Sequence, residues 1–108
     1  MSKIIASSPH FLVRDVMSAG KYYEEKLGFT VPEYWGDPPG FAMPHRDRFI
    51  VMLNQVDRLA PAPNGNEDIW DAYFWCTGVD TLFAEFEAAG ARIEHGPENR
   101  EGYGMREF

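Results

Sequence analysis

Hydrophobic and polar positions alternate through Lys3 to Val13, with Phe11 and Val13 on one face and Ser8, His10 and Leu12 on the other. That period of two predicts a first strand. Asp15 follows as an N-cap, since its carboxylate can accept from the free amides of a first helical turn. Val16, Ala19, Tyr23 and Leu27 then recur at helical spacing, and Gly28 supplies a left-handed stop. Extended structure resumes from Phe29 to Trp35, interrupted by Pro32 and closed by the turn cluster Gly36-Asp37-Pro38-Pro39-Gly40. Phe41 to Met43 and Phe49 to Leu53 read as a hairpin around Pro44-His45-Arg46-Asp47.

The next stretch loses all periodicity. Asn54 to Asp68 is rich in Pro, Asn and Gly and reads as a connector. Beyond it, Trp70 to Thr77 predicts a strand, and Val79, Leu82, Phe83 and Phe86 form a helical stripe that stops at Gly90. Ala91 to His95 predicts another strand, Gly96-Pro97-Glu98-Asn99 a loop, and Gly104 to Phe108 a last extended piece.

The two halves match. Val13, Val16 and Tyr23 stand 63 positions before Cys76, Val79 and Phe86, while Gly28 and Val31 stand 62 before Gly90 and Ile93. Strand, helix, glycine stop and strand thus recur in one order, which predicts internal duplication of a β-α-β unit. The expected partition is module one at 1–53, connector at 54–69 and module two at 70–108. The first half has two further strands after its post-helix strand, and the last of these finds no counterpart before Phe108. Module two is therefore expected to lack its last strand within this sequence: either the chain is cut short, or its last sheet is incomplete and leaves an edge for a partner to cover.

Composition narrows the function. With 108 residues and 44% hydrophobic content the chain suits one domain with a modest core. Eight Phe, five Tyr and three Trp exceed what that core requires, so some can line a cavity. The net charge is -7 and no basic run interrupts it. Binding nucleic acid or an anionic membrane by charge is disfavoured. One cysteine, Cys76, excludes an intramolecular disulfide and a cysteine-rich zinc site, and its parity with Val13 predicts inert packing under the helix. No leader or membrane-spanning stretch is visible, so the expected location is cytoplasmic.

Several segments together resemble the vicinal oxygen chelate superfamily of glyoxalases, bleomycin-resistance proteins and extradiol dioxygenases. They are Val13-Arg14-Asp15-Val16, the run Tyr22-Tyr23-Glu24-Glu25-Lys26-Leu27-Gly28-Phe29, Gly78-Val79-Asp80 with its helix to Gly90, and Gly104-Met105-Arg106-Glu107-Phe108. The resemblance implies an α+β fold of two βαβββ modules whose curled mixed sheet encloses a cavity. In the family's enzymes a divalent metal in that cavity binds vicinal oxygens of the substrate. Its ligands come from the first and last strands of the modules.

At the positions where the resemblance implies a ligand histidine, this chain has Ser8 and Asp71. Ser8 is a poor divalent-metal ligand, and the fourth strand, Ile50 to Leu53, offers neither carboxylate nor imidazole. His10 shares the parity of Ser8, about 7 Å further along, and should face the cavity. His45 and His95 are expected at exposed turns. Tyr73 and Trp75 share a face with Asp71 and should lie across from His10 and Leu12, with Arg106 near the mouth. Trp35, Phe41 and Met43 have a register that Pro32 and Gly36 blur. The expected ligand-binding set is therefore His10, Leu12, Tyr73, Trp75 and Arg106.

The leading expectation is a small-molecule binding protein that takes an aromatic or amphipathic ligand with no resident metal or other cofactor. The rival is a metal-dependent lyase, isomerase or dioxygenase using a divalent metal on His10 and Asp71. A third reading is a non-catalytic dimerising module. A homodimer is expected in each case, because related proteins pair their modules across a two-fold.

Overall fold

The structure is a computed structural model and describes residues 1–59 and 69–108. Most of the expected connector, residues 60–68, lies outside the described residues. Within the rest the fold is α+β, as expected, with open mixed sheets. It divides into two compact units, Met1–Tyr73 and Phe74–Phe108.

The first unit contains β1 (His10–Val13), α1 (Val16–Leu27), β2 (Tyr34–Trp35), β3 (Phe41–Ala42), β4 (His45–Arg46), β5 (Phe49–Ile50) and β6 (Met52–Gln55). Four of these strands form a sheet in the order β1-β6-β3-β2. β1 runs parallel to β6, while β3 is antiparallel to β6 and β2 to β3. This is one βαβββ unit, with its third and fourth strands each broken in two. The break falls where Met43-Pro44 meets Val51, and the outer pieces β4 and β5 pair as a separate hairpin.

Alternation decides which side chains meet the helix. Phe11, Leu53, Ala42 and Tyr34 align across the four strands. Leu53 and Ala42 are fully buried there with Val16 and Val51, Val31 is nearly so, and Phe11, Val13, Ala19, Tyr23, Phe29 and Tyr34 pack around them. Each buried Val or Leu contributes roughly 1.5–3 kcal/mol, so this small cluster carries most of the unit's cohesion.

Helix α1 is tied at both ends. Asp15 Oδ1 accepts from the Ser18 amide at 3.1 Å, as its cap position predicts. Gln55 Oε1 accepts from the Val16 amide at 2.9 Å, joining the helix start to the end of β6. At the other end Gly28 is left-handed at φ 71, and Arg46 Nη1 donates to the Leu27 carbonyl at 2.7 Å.

The second unit contains α2 (Val79–Ala88), β7 (Glu98–Arg100) and β8 (Met105–Glu107). β7 and β8 pair antiparallel, and the Phe108 ring meets Phe83 and Phe86 edge-on at 5.2 and 6.0 Å. Gly90, at φ 81, ends the helix turn as expected.

Several expectations need correction. The first strand begins at His10, not Lys3. The hairpin turn is Asp47-Arg48, because His45 and Arg46 are strand residues. His45 is half-buried, pairing with Ile50 and bridging Thr30. His95 is also half-buried, with Nδ1 3.2 Å from its neighbour's carbonyl, Gly96 O. Trp70 to Thr77 and Ala91 to His95 form no strand among the described residues, whereas Glu98 and Asn99, expected in a loop, do. Alternation shows that a segment can be a strand; pairing needs a neighbour at the right distance. Cys76 is exposed, not packed under the helix, because the strand that would have fixed its direction is not formed.

Candidate functional site

The face of the main sheet turned away from α1 carries the candidate site. Its residues follow from the same alternation: His10 and Leu12 on β1, Met52 and Asn54 on β6, Phe41 on β3 and Trp35 on β2. The register sets Trp35 beside Phe41 and Phe41 beside Asn54, which in turn neighbours Leu12. The rings touch. Phe41 meets His10 edge-on at 6.1 Å and Trp35 at 5.7 Å with a 51° tilt. A row of three flat side chains thus crosses the sheet, each contact within the range where aromatic pairs attract.

At the β1 edge this face opens into a pocket of about 490 Å³ lined by Pro9, His10, Phe11, Leu12, Ile69, Trp70 and Asp71. That volume is of the order of a drug-sized ligand. The lining is mostly apolar, and much of it faces solvent: Leu12 is 49% exposed, Ile69 57% and Trp70 55%. Among the described lining residues Asp71 supplies the one charge. The described lining contains no Lys or Arg.

Of the residues singled out in the sequence, His10, Leu12 and Asp71 line this pocket together. Tyr73 is half-buried in the same unit and does not line it. Trp75, 75% exposed, belongs to the second unit. Arg106 also belongs there, and its guanidinium is engaged: Nη2 donates to Asp80 Oδ1 at 2.8 Å, Nε to Asp80 Oδ2 at 3.1 Å, and Nη1 to Asn99 at 3.0 Å. The hydrogen bonds from Arg106 hold the Asp80 carboxyl below its usual range. Trp70 and Ile69 were missed because strand parity grouped Asp71 with Tyr73 and Trp75, and the segment is not a strand. Phe41 and Trp35 enter the face because β2 and β3 pair in spite of Pro32 and the Gly36 turn.

A second polar network lies on the β7–β8 hairpin. Buried Glu107 accepts from Arg100 Nε at 2.9 Å and from the Tyr103 hydroxyl at 2.6 Å. Its hydrogen bond raises the Tyr103 phenol above its ordinary value, so the phenol stays protonated. The hairpin is stapled by this network, which lines no pocket described above.

The helix-covered sheet with its open aromatic face defines an α+β scaffold of the βαβββ type. The chain belongs to the Glyoxalase/Bleomycin resistance protein/Dioxygenase superfamily, whose family model matches residues 7–108. Its fold is similar to that of a bleomycin resistance determinant encoded on the transposon Tn5, at 18% identity and a TM-score of 0.69 over 95% of this chain and 84% of that one. It is also similar to a glyoxalase/bleomycin resistance protein/dioxygenase from Nocardioides, at 20% identity and 0.60 over 94% and 72%. UcmS2 gives 20% identity and 0.67 over 92% and 84%. No curated protein matches the sequence.

The family includes metal enzymes, and a divalent ion makes a definite demand on its donors. Catalytic sites of this kind take about three protein ligands plus an open position. Among the described residues no three His, Cys, Asp or Glu side chains come together. Among the described lining residues only His10 and Asp71 are such donors, and two do not make up the set.

Proposed function

We propose that this protein binds an aromatic or amphipathic small molecule without a resident metal, in the manner of a binding member of its superfamily rather than a metal enzyme. The observation that carries the proposal is the row His10–Phe41–Trp35, which leads across an exposed sheet face to the apolar pocket beside Leu12 and Trp70. Rings already held against one another, at 87° and 51°, present a preformed aromatic surface, which lowers the ordering cost of binding an aromatic ligand. His10 can add a hydrogen bond from either ring nitrogen. Trp75 and Arg106 remain proposed contacts of the ligand, as does Tyr73.

The test combines metal analysis with ligand titration. Purified protein should hold no stoichiometric divalent ion, and aromatic probes should quench its tryptophan fluorescence saturably and raise its Tm. One tightly held ion per chain, with binding or turnover lost on chelation, would overturn the proposal. The presence of His10 and Asp71 in one pocket favours a second reading, a metal-dependent lyase, isomerase or dioxygenase. Titration with nickel, manganese, zinc or iron that shows no uptake removes it.

The proposal includes a homodimer. Ile4 and Ile5 lie 95% and 94% exposed ahead of β1, itself an edge strand of the main sheet, and a second copy would cover such apolar surface. Light scattering of a monomer at high concentration would remove this part.

A further inference from the structure

We infer that the pocket beside β1 selects planar aromatic cations and that Asp71 reads the charge. The inference rests on the binding proposal above and adds the ligand's charge to it. Leu12, Ile69 and Trp70 supply apolar and flat surface, and Asp71 supplies the one formal charge among the described lining residues, which include no Lys or Arg to offset it. Its carboxylate is exposed and makes no hydrogen bond or ion pair among the described residues. The ring nitrogens of His10 likewise have no hydrogen-bond partner among the described residues, while its ring packs perpendicular to that of Phe41.

These groups discriminate by sign. A flat anion entering the pocket meets Asp71 with no Lys or Arg among the described lining residues to compensate. A neutral aromatic stacks but leaves the carboxylate unused. A flat cation gains both the carboxylate and the electron-rich face of Trp70. The chain's net charge of -7 adds long-range attraction in the same direction. Because Asp71 is exposed, its share is modest: an exposed ion pair gives about a threefold to fivefold preference, and salt screens it.

Three tricyclic probes of one shape separate these contributions: 9-aminoacridine as the cation, acridine as the neutral ring and acridine-9-carboxylate as the anion. Fluorescence titration of the full chain at neutral pH should rank them in that order, with the cation about threefold to fivefold tighter than acridine at low salt. The gap should close as salt is added. Asp71→Asn should bring the cation down to acridine's affinity and leave acridine unchanged, with circular dichroism showing the same fold. Trp70→Ala should weaken all three.

Equal affinities for the three probes, or an Asp71→Asn variant that keeps the cation preference, would overturn the charge assignment and leave an aromatic site standing. Saturable binding of none of them by the folded protein would overturn both the charge assignment and the aromatic site beneath it.

Discussion

At the scale of single residues, the close approach of Tyr34 to Gly20 is the sharpest constraint in the first unit. Gly20 sits inside α1, and the Tyr34 hydroxyl occupies the space where a Cβ would project. Alanine is the better helix former by about 1 kcal/mol, so propensity alone predicts that Gly20→Ala stabilises. The ring decides otherwise. Gly20→Ala is expected to destabilise by about 1–3 kcal/mol in a urea titration, because a packed aromatic ring must shift. Tyr23 gives a pH test. Burial, and then the neighbouring Tyr22, pushes its phenol above the ordinary value of about 10. Above that pH the unfolded chain releases the proton while the folded chain keeps it. Stability therefore falls as pH rises from about 10 through the folded value, and Tyr23→Phe should flatten the fall. Burial, followed by Glu24, raises Tyr34 in the same direction.

At the scale of elements, the ends of α1 and the β4–β5 turn show how distant sequence positions settle local structure. Asp15 is a cap that any reading of the chain finds, but the Val16 amide is satisfied by Gln55, 39 positions away. Gln55→Ala should cost about 1 kcal/mol, since it leaves the amide of a fully buried residue without its partner. The denaturation midpoint should drop with an unchanged slope. The β4–β5 turn places Asp47 at φ 52 and Arg48 at φ 72. Two left-handed residues in a two-residue loop are the requirement of a type I′ turn, in which Asn-Gly or Asp-Gly is preferred. Arg48→Gly is accordingly expected to stabilise by about 0.5–1 kcal/mol by thermal melt, because a glycine after Asp47 completes the preferred pair. The turn was misplaced in the sequence because Pro44 and His45 look like turn residues. The pairing of His45 with both Ile50 and Thr30 draws them into the sheets.

At the scale of the whole molecule, stability is unevenly distributed. Every buried hydrophobic residue of the described core lies in the first unit. In the second, α2 has no buried residue, and the β7–β8 hairpin relies on Glu107 with Arg100 and Tyr103. Hydrogen exchange should therefore be slowest in β6 and α1 and markedly faster in α2 and the hairpin. Uniform protection across both units would contradict this distribution. The same unevenness explains which parts were legible. The strand-helix-glycine order of the first unit could be read because Phe11, Val13, Val16 and Tyr23 meet one core at regular spacing. The strands expected at Trp70 to Thr77 and Ala91 to His95 could not be judged in that way. Their alternation is genuine, yet among the described residues no neighbouring strand takes up their hydrogen bonds.

The sequence by itself determined the period, the caps and the stops: Asp15 opening α1, Gly28 and Gly90 ending the helices, and the parity that puts His10 with Leu12. These depend on local geometry, which a residue and its near neighbours dictate. Only the tertiary structure decided that Phe41 and Trp35 join His10 across the sheet, and that Trp70 and Asp71 close the pocket beside β1. It also decided that Arg106 is held by Asp80 and Asn99. Each of these turns on strand register or on chain segments brought together from far apart, and a local pattern carries no record of either.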